Sequence, residues 1–244
     1  MKTKTLTLFG IIGMTLLFSV NNTVFPNSKT DSGIIKEERT VEPFSKISLG
    51  ISANLYLTQS STRKVVIEGE ENLLANIETE VSGSTLKIKY DKSWKFKSLK
   101  KVKIYISIPD IEGLNISGSG SIVAQNAINS DRIDFSISGS GHIKIEDLNV
   151  NEIYSRISGS GDIIISGTQT VKLLDIAISG SGDLGSEGLK VEELEVRISG
   201  SGSCEVYVIS KLVANISGSG KILYAGKPVV NARISGSGKI KSVY

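Results

Sequence analysis

Over much of the chain, apolar and polar residues alternate with a period of two. In the segment from Ile153 to Ile165, every second residue is apolar or small, and the residues between them are polar. The segment from Leu194 to Val208 follows the same pattern. Alternation with period two is typical of a β-strand that buries one face. The pattern therefore predicts an all-β protein.

The pentapeptide Ile-Ser-Gly-Ser-Gly occurs seven times at intervals of 18 to 21 residues. The copies begin at Ile116, Ile137, Ile157, Ile178, Ile198, Ile216 and Ile234. A fixed period near 20 residues is typical of stacked repeats, in which each unit buries its apolar side against its neighbours. Because two glycines per unit disfavour helices, we predict a single-stranded parallel β-helix over residues 114–244. Strand twist and crossover chirality make its expected hand right-handed.

Stacking the units in register aligns equivalent residues into columns. One column is aliphatic except for Cys204, and consists of Ile122, Ile143, Ile163, Leu184, Cys204, Ile222 and Ile240. We therefore interpret this lone cysteine as a small buried core residue rather than as a reactive thiol. The serines of the repeat are expected to face outward. The glycines are expected to occupy inward positions where the chain bends.

Residues 34–113 also alternate like strands, but their spacing is uneven. Examples are residues 47–57, 86–88 and 102–108. We interpret residues 34–113 as irregular first coils that cap the solenoid, with a separate small β-sandwich as the alternative.

The N-terminus predicts export. Lys2 and Lys4 precede an apolar run from Leu6 to Val20, which fits a signal peptide over residues 1–20, with an uncleaved anchor as the alternative. A flexible leader is expected over residues 21–33. No cysteine directly follows the apolar run, so a lipoprotein is not expected. Without Lys2 and Lys4, 26 of the 28 basic residues remain against 25 acidic ones. No nucleic-acid partner and no transmembrane domain are expected in the mature chain.

One outward column contains candidate acids. It reads Ser121, His142, Asp162, Asp183, Ser203, Lys221 and Lys239. Asp162 and Asp183 are expected on adjacent coils, where two carboxylates could share a proton or help to hold Ca²⁺. The alternative is a solvated row of turn residues, which we prefer, so no metal or cofactor is expected.

A lysine-rich segment is the candidate contact surface. Residues 92–103 contain six lysines and no acid, together with the only tryptophan; the candidate contact residues are Lys92, Trp94, Lys95, Phe96, Lys97 and Lys100. Such a stretch could bind a polyanionic glycan or lipid headgroups, with Trp94 stacked on a sugar ring. The alternative is a solvated hairpin loop whose aromatic residues cover the core.

The chain resembles a known family over residues 36–244. The resemblance rests on the segment from Arg39 to Leu57, on Glu70-Glu-Asn-Leu-Leu, and on the repeated Ile-Ser-Gly-Ser-Gly. It is similar to the family called putative auto-transporter adhesin, head GIN domain. The resemblance implies a β-helical envelope protein of Gram-negative bacteria, in the periplasm or at the cell surface. Adhesion is the proposed role of this family, and it has no established catalytic residues.

Two classes of function follow from these patterns. The first is a non-catalytic module that binds a cell-surface glycan, matrix or protein. The second is a carbohydrate-active enzyme, similar to a polysaccharide lyase or hydrolase, that uses acids on one face. The outward column formed by Asn115, Ser136, Arg156, Arg197, Asn215 and Arg233 predicts a polar face without a deep cleft. It therefore favours the first class.

Overall fold

The structure is a computed structural model that describes residues 33–92 and 102–243. About 70% of it is β-strand, and the strands stack into a β-solenoid of about six turns. The predicted all-β solenoid is therefore confirmed. Its elements are β1 (Ile34–Glu38), β2 (Lys46–Leu49), β3 (Ala53–Gln59), β4 (Lys64–Glu70), α1 (Glu71–Leu74), β5 (Ile77–Ser82), β6 (Thr85–Tyr90), β7 (Val102–Ile108), β8 (Gly113–Ile116), β9 (Ser121–Ala124), β10 (Ile128–Asn129), β11 (Arg132–Gly139), β12 (His142–Ile145), β13 (Leu148–Asn149), β14 (Glu152–Gly159), β15 (Asp162–Ser166), β16 (Thr170–Gly180), β17 (Asp183–Gly200), β18 (Ser203–Gly218), β19 (Lys221–Ala225), β20 (Val229–Gly236) and β21 (Lys239–Ser242).

The repeats stack in register through parallel pairing. In this ladder Ile137 lies opposite Ile157, which lies opposite Ile178, and the alignment continues through β17 and β18 to Ile234 in β20. The second half of each repeat forms a second ladder, from β9 through β12 and β15 to β21. Each coil therefore contributes one strand to each of two faces, and the bend between them falls at the glycines.

The core consists of the inward columns. The repeat isoleucines from Ile116 to Ile216 are at most 2% exposed, and Cys204 is 1% exposed in the aliphatic column predicted for it. Burial raises the pKa of the Cys204 thiol to about 12. Ser155 is also buried, between Phe135 and Ile176 of the neighbouring coils, and its hydroxyl oxygen has no hydrogen-bond partner in the described part of the chain.

The glycines let adjacent coils approach closely at the bend. Gly159 has φ +136°, and a Cβ built there would collide with the carbonyl oxygen of Gly139. That oxygen accepts a hydrogen bond from the Ser160 N–H at 2.9 Å, so the ladder holds it in place. Positive φ and close backbone contact are both conditions that glycine alone meets without strain.

The N-terminal strands extend the same ladders, but their order in space differs from their order in the chain. β2 lies between β6 and β8, and β3 lies between β7 and β9, all in parallel register. Beyond β7, the sheet continues with β4, which is antiparallel to β7, and then with β1, which is antiparallel to β4. Beyond β6 it continues with β5, which is antiparallel to β6. The chain therefore turns back to build the end of the stack before the repeats begin.

Within the described ranges, the single helical turn α1 is the only helix, and nothing there is long and apolar enough to cross a membrane as a helix.

Candidate functional site

A groove runs across the coils on the face that contains β11, β14, β16, β17, β18 and β20. It has a volume of about 790 Å³ and is lined on each coil by the repeat isoleucine and the residue on either side of it. The isoleucines are buried except at the last coil, so their backbone forms the floor. The five spacings of about 4.8 Å between these six coils make the groove about 24 Å long.

The two walls of the groove are outward columns of different character. One wall is the first serine of each repeat, from Ser138 to Ser235, and is the same on every coil. The other wall changes from coil to coil and reads Ser136, Arg156, Ala177, Arg197, Asn215 and Arg233. The backbone register places these six residues directly opposite one another on successive coils.

Arginine therefore recurs on every second coil of this wall. Arg156, Arg197 and Arg233 are separated by two coil spacings each, which is about 10 Å between successive levels. Each guanidinium carries a permanent positive charge and a planar set of N–H donors. The wall thus presents cationic donors at a regular interval.

The three arginines differ in their partners. Arg197 is held by two acids: its Nη1 lies 3.2 Å from Asp175 Oδ1, and its Nη2 lies 3.0 Å from Glu195 Oε2. Arg156 and Arg233 are exposed and make no ion pair within the described residues. These two guanidinium groups are therefore available to an anionic ligand without breaking an existing ion pair.

The acidic row predicted from the sequence does form on the neighbouring face. Asp162 lies opposite both His142 and Asp183 in register. The two carboxylates, however, bond in opposite directions along the row. His142 Nδ1 lies 3.1 Å from Asp162 Oδ2, whereas Asp183 Oδ1 accepts hydrogen bonds from the Ser203 N–H at 2.8 Å and the Ser203 hydroxyl at 2.7 Å.

The row does not belong to a metal-binding cluster within the described residues. In residues 33–92 and 102–243, no three His, Cys, Asp or Glu side chains come together as metal ligands. The acidic pair is thus one step in a polar ladder of His, Asp and Ser side chains.

The lysine-rich segment falls mostly outside the described residues. Lys92 is described and exposed, whereas Trp94, Lys95, Phe96, Lys97 and Lys100 lie in the range 93–101. The role assigned to this segment stays a prediction.

The sequence analysis identified the variable column but not the groove. The column was interpreted as a polar face without a deep cleft, and the structure places it along one wall of an open groove. The available signal was the change from Ser to Arg to Ala to Arg beside an invariant repeat. The depth of the groove depends on how far the flanking side chains rise above the isoleucine backbone, and no pattern of residue types specifies this height.

Fold and groove together define a β-solenoid of stacked Gly-Ser repeats with an open groove that crosses its coils. The chain belongs to the family described as putative auto-transporter adhesin, head GIN domain, whose model matches residues 43–228, about three quarters of the chain. The resemblance seen in the sequence is therefore confirmed. None of the curated proteins matches the chain.

Solved structures share the fold over nearly their whole length. A putative adhesin from Bacteroides fragilis is 28% identical, with a TM-score of 0.82; the alignment covers 87% of this chain and 98% of that one. A protein from Parabacteroides distasonis, described as a putative lipid binding protein, is 26% identical, with a TM-score of 0.72 and coverages of 88% and 98%. A putative adhesin from Parabacteroides merdae, at 20% identity and a TM-score of 0.69, shows the fold alone. The family and several neighbours are named as adhesins, which supports an adhesin-like binding role.

Proposed function

We propose that this protein is an exported, non-catalytic adhesin of the bacterial cell envelope that binds a linear acidic glycan along its groove. The observation that carries the proposal is the row of arginines on every second coil of one wall. A groove that crosses six coils suits a polymer rather than a compact small molecule.

The chemistry of the two walls fits such a ligand. Guanidinium groups form paired hydrogen bonds with carboxylates and sulfates. The serine hydroxyls of the opposite wall can both donate to and accept from sugar hydroxyls. A glycan with one carboxylate per disaccharide carries its charges at a spacing comparable to the roughly 10 Å between arginine levels.

The same proposal assigns a secondary role to the lysine-rich segment. Lys92, Lys95, Lys97 and Lys100 would add salt-sensitive attraction for the same anionic polymer, and Trp94 would stack on a sugar ring. This contribution is separable from the groove, because replacing the four lysines leaves Arg156 and Arg233 unchanged.

The catalytic alternative has no supporting observation. A glycosidase of the usual type needs two carboxylates placed on either side of the bond that it breaks. Here the candidate pair, Asp162 and Asp183, is engaged by His142 and Ser203 within one ladder and lies outside the groove. The acids Asp175 and Glu195 are both engaged by Arg197.

Binding to hyaluronan, which carries one carboxylate per disaccharide, tests the proposal. Isothermal titration of the mature protein should show binding to hyaluronan oligosaccharides and none to neutral dextran. The Arg156→Gln/Arg233→Gln double variant should lose at least about tenfold in affinity, since two charge-assisted contacts are removed. The matched control is Arg63→Gln/Lys172→Gln, which removes two exposed charges away from the groove.

Two results would count against this function. Equal affinity for dextran would show that the charges are irrelevant. Equal losses in the groove variant and in the control would show that only net charge matters. Export is tested separately: the mature N-terminus, determined by mass spectrometry, should lie within or directly before residues 21–33.

A further inference from the structure

The two ends of the solenoid are finished differently. At the N-terminal end, the inward side chains of the outermost parallel coil, such as Leu86 and Ile104, are fully buried. The antiparallel strands β4 and β5 and the turn α1 lie beyond this coil. At the C-terminal end, Ile234 is 45% exposed, although the same column is at most 2% exposed on every preceding repeat. Val230 is 39% exposed, whereas Leu212 beneath it is 0% exposed. Within residues 33–92 and 102–243, the core is therefore capped at one end and open at the other.

The backbone at this end has a free outer side within the described residues, over β20 and over Lys239–Lys241 of β21. There β20 pairs only with β18, and β21 pairs only with β19. Such an edge presents a row of free N–H and C=O groups, which is a template for another strand. Natural solenoids usually protect this position with a capping element.

The open end has a strong charge of one sign. From Val206 to Tyr244 the chain contains six basic residues and no acidic one: Lys211, Lys221, Lys227, Arg233, Lys239 and Lys241. Of these, Lys211 pairs with Glu193 at 3.3 Å, and the other five have no ion pair within the described residues. Two copies meeting at this end would bring like charges together, so the charge disfavours a second copy and favours an acidic partner.

We propose that β20 and β21 form a strand-addition site for an extended, acidic segment of another protein. The partner's backbone would pair with the free edge, as in other cases of β-augmentation. Its apolar residues would cover Val230 and Ile234, and its acidic residues would lie beside Lys239 and Lys241. A free sheet edge is specific for a polypeptide, since a glycan supplies neither the hydrogen-bond spacing nor the apolar side chains.

The site is distinct from the proposed glycan groove in partner, chemistry and most of its residues. Arg233, Ile234 and Ser235 belong to both, so none of the three is changed in the test. Failure of one proposal therefore leaves the other intact.

A synthetic peptide that imitates one further coil provides the probe. It matches Val229–Ser242 in length, keeps the apolar residues at the inward positions, and has Glu at the positions aligned with Arg233, Lys239 and Lys241. A second peptide has Lys in place of Glu. A third keeps the acidic sequence but has alternate backbone amides methylated, which removes hydrogen-bond donors. Affinity is measured by fluorescence anisotropy on the full mature chain.

The acidic peptide is expected to bind, and the basic and methylated peptides at least about tenfold more weakly. In the Lys239→Glu/Lys241→Glu variant the preference between acidic and basic peptides should reverse. The control Lys87→Glu/Lys172→Glu, with the same change in net charge, should keep the original preference. Hydrogen exchange should slow in Val229–Gly236 when the acidic peptide is bound.

Three outcomes would overturn the proposal. Undiminished binding of the methylated peptide would reduce the interaction to charge alone. An unchanged preference in the Lys239→Glu/Lys241→Glu variant would place the peptide elsewhere. A stable dimer in sedimentation that Val230→Lys dissociates would show that a second copy covers the open end.

Discussion

Replacing Gly159 by alanine is expected to damage the stack, whereas the same change at Gly118 is expected to be tolerated. Both are the first glycine of an Ile-Ser-Gly-Ser-Gly unit. At Gly159 the backbone has φ +136°, and an added Cβ would collide with the Gly139 carbonyl oxygen. At Gly118 φ lies outside the positive range, and the nearest neighbour of an added Cβ is the Gly50 oxygen at 3.8 Å.

The magnitude follows from two costs at Gly159. A residue with a side chain in a sparsely populated region of φ costs about 1–3 kcal/mol. Forcing a methyl group against well-packed neighbours costs typically about 1–3 kcal/mol more. We therefore expect Gly159→Ala to lose about 2–6 kcal/mol in free energy of unfolding. Gly118→Ala should be neutral, or more stable by about 0.4–1 kcal/mol, because alanine restricts the unfolded chain.

Urea denaturation followed by circular dichroism measures this difference. For a protein of this size, each kcal/mol corresponds to about 2–4 °C in Tm, so thermal melting provides a second measurement. Equal losses in the two variants would refute the reasoning, since they would show that the glycines are needed for a reason unrelated to φ and coil contact. Equal and negligible changes would refute it as well.

Three further predictions concern single side chains. Ser155→Ala should raise the free energy of unfolding by about 1 kcal/mol, because its buried hydroxyl has no partner among the described residues. Ser186→Ala should lower it by a similar amount, because Ser186 Oγ donates to the Glu205 carbonyl oxygen at 3.2 Å. Denaturation curves that gave both changes the same sign would contradict this. Cys204 should resist a thiol reagent at pH 8 until urea unfolds the chain, since burial raises its pKa to about 12. Labelling of the folded protein as fast as labelling of the unfolded protein would contradict this. Burial opposes ionisation of Glu68, but hydrogen bonds from two lysines outweigh this effect and lower its pKa. The free energy of unfolding of the wild type should therefore exceed that of Glu68→Gln by about 1–2 kcal/mol at neutral pH. This difference should vanish as the pH falls below the usual glutamate range and through the lowered pKa.

The sequence predicts the columns of the solenoid well because they depend on local rules. Period-two alternation assigns each residue to the inside or the outside, and the repeat interval sets which residues stack. Cys204 was placed in the core column this way, and Asp162 beside Asp183. Both assignments need only that each coil repeats its predecessor.

Features that depend on pairing between distant segments, or on side-chain conformation, could not be predicted in the same way. Alternation identifies β2, β6 and β8 as strands, but nothing local indicates that β2 lies between the other two. The partner of Asp162 is a second example. Register brings His142 and Asp183 equally near, and only the side-chain conformations determine that His142 is the neighbour it bonds. The groove is a third, since its depth arises from side chains that rise above a flat backbone.

The spacing of the arginines, rather than their number, should determine which polymer the groove binds. Moving one arginine by a single coil tests this: the pair Arg156→Ala and Ala177→Arg conserves net charge, and Arg197 keeps both of its neighbouring acids, Asp175 and Glu195. It changes the separations from about 10 and 10 Å to about 5 and 10 Å. Removing Arg156 breaks no ion pair in the described residues, so the Arg156→Ala half of the change should leave stability unaltered. If the match of spacing contributes, hyaluronan affinity falls at least about fivefold at equal charge; unchanged affinity would mean that the groove acts only as a diffuse positive surface.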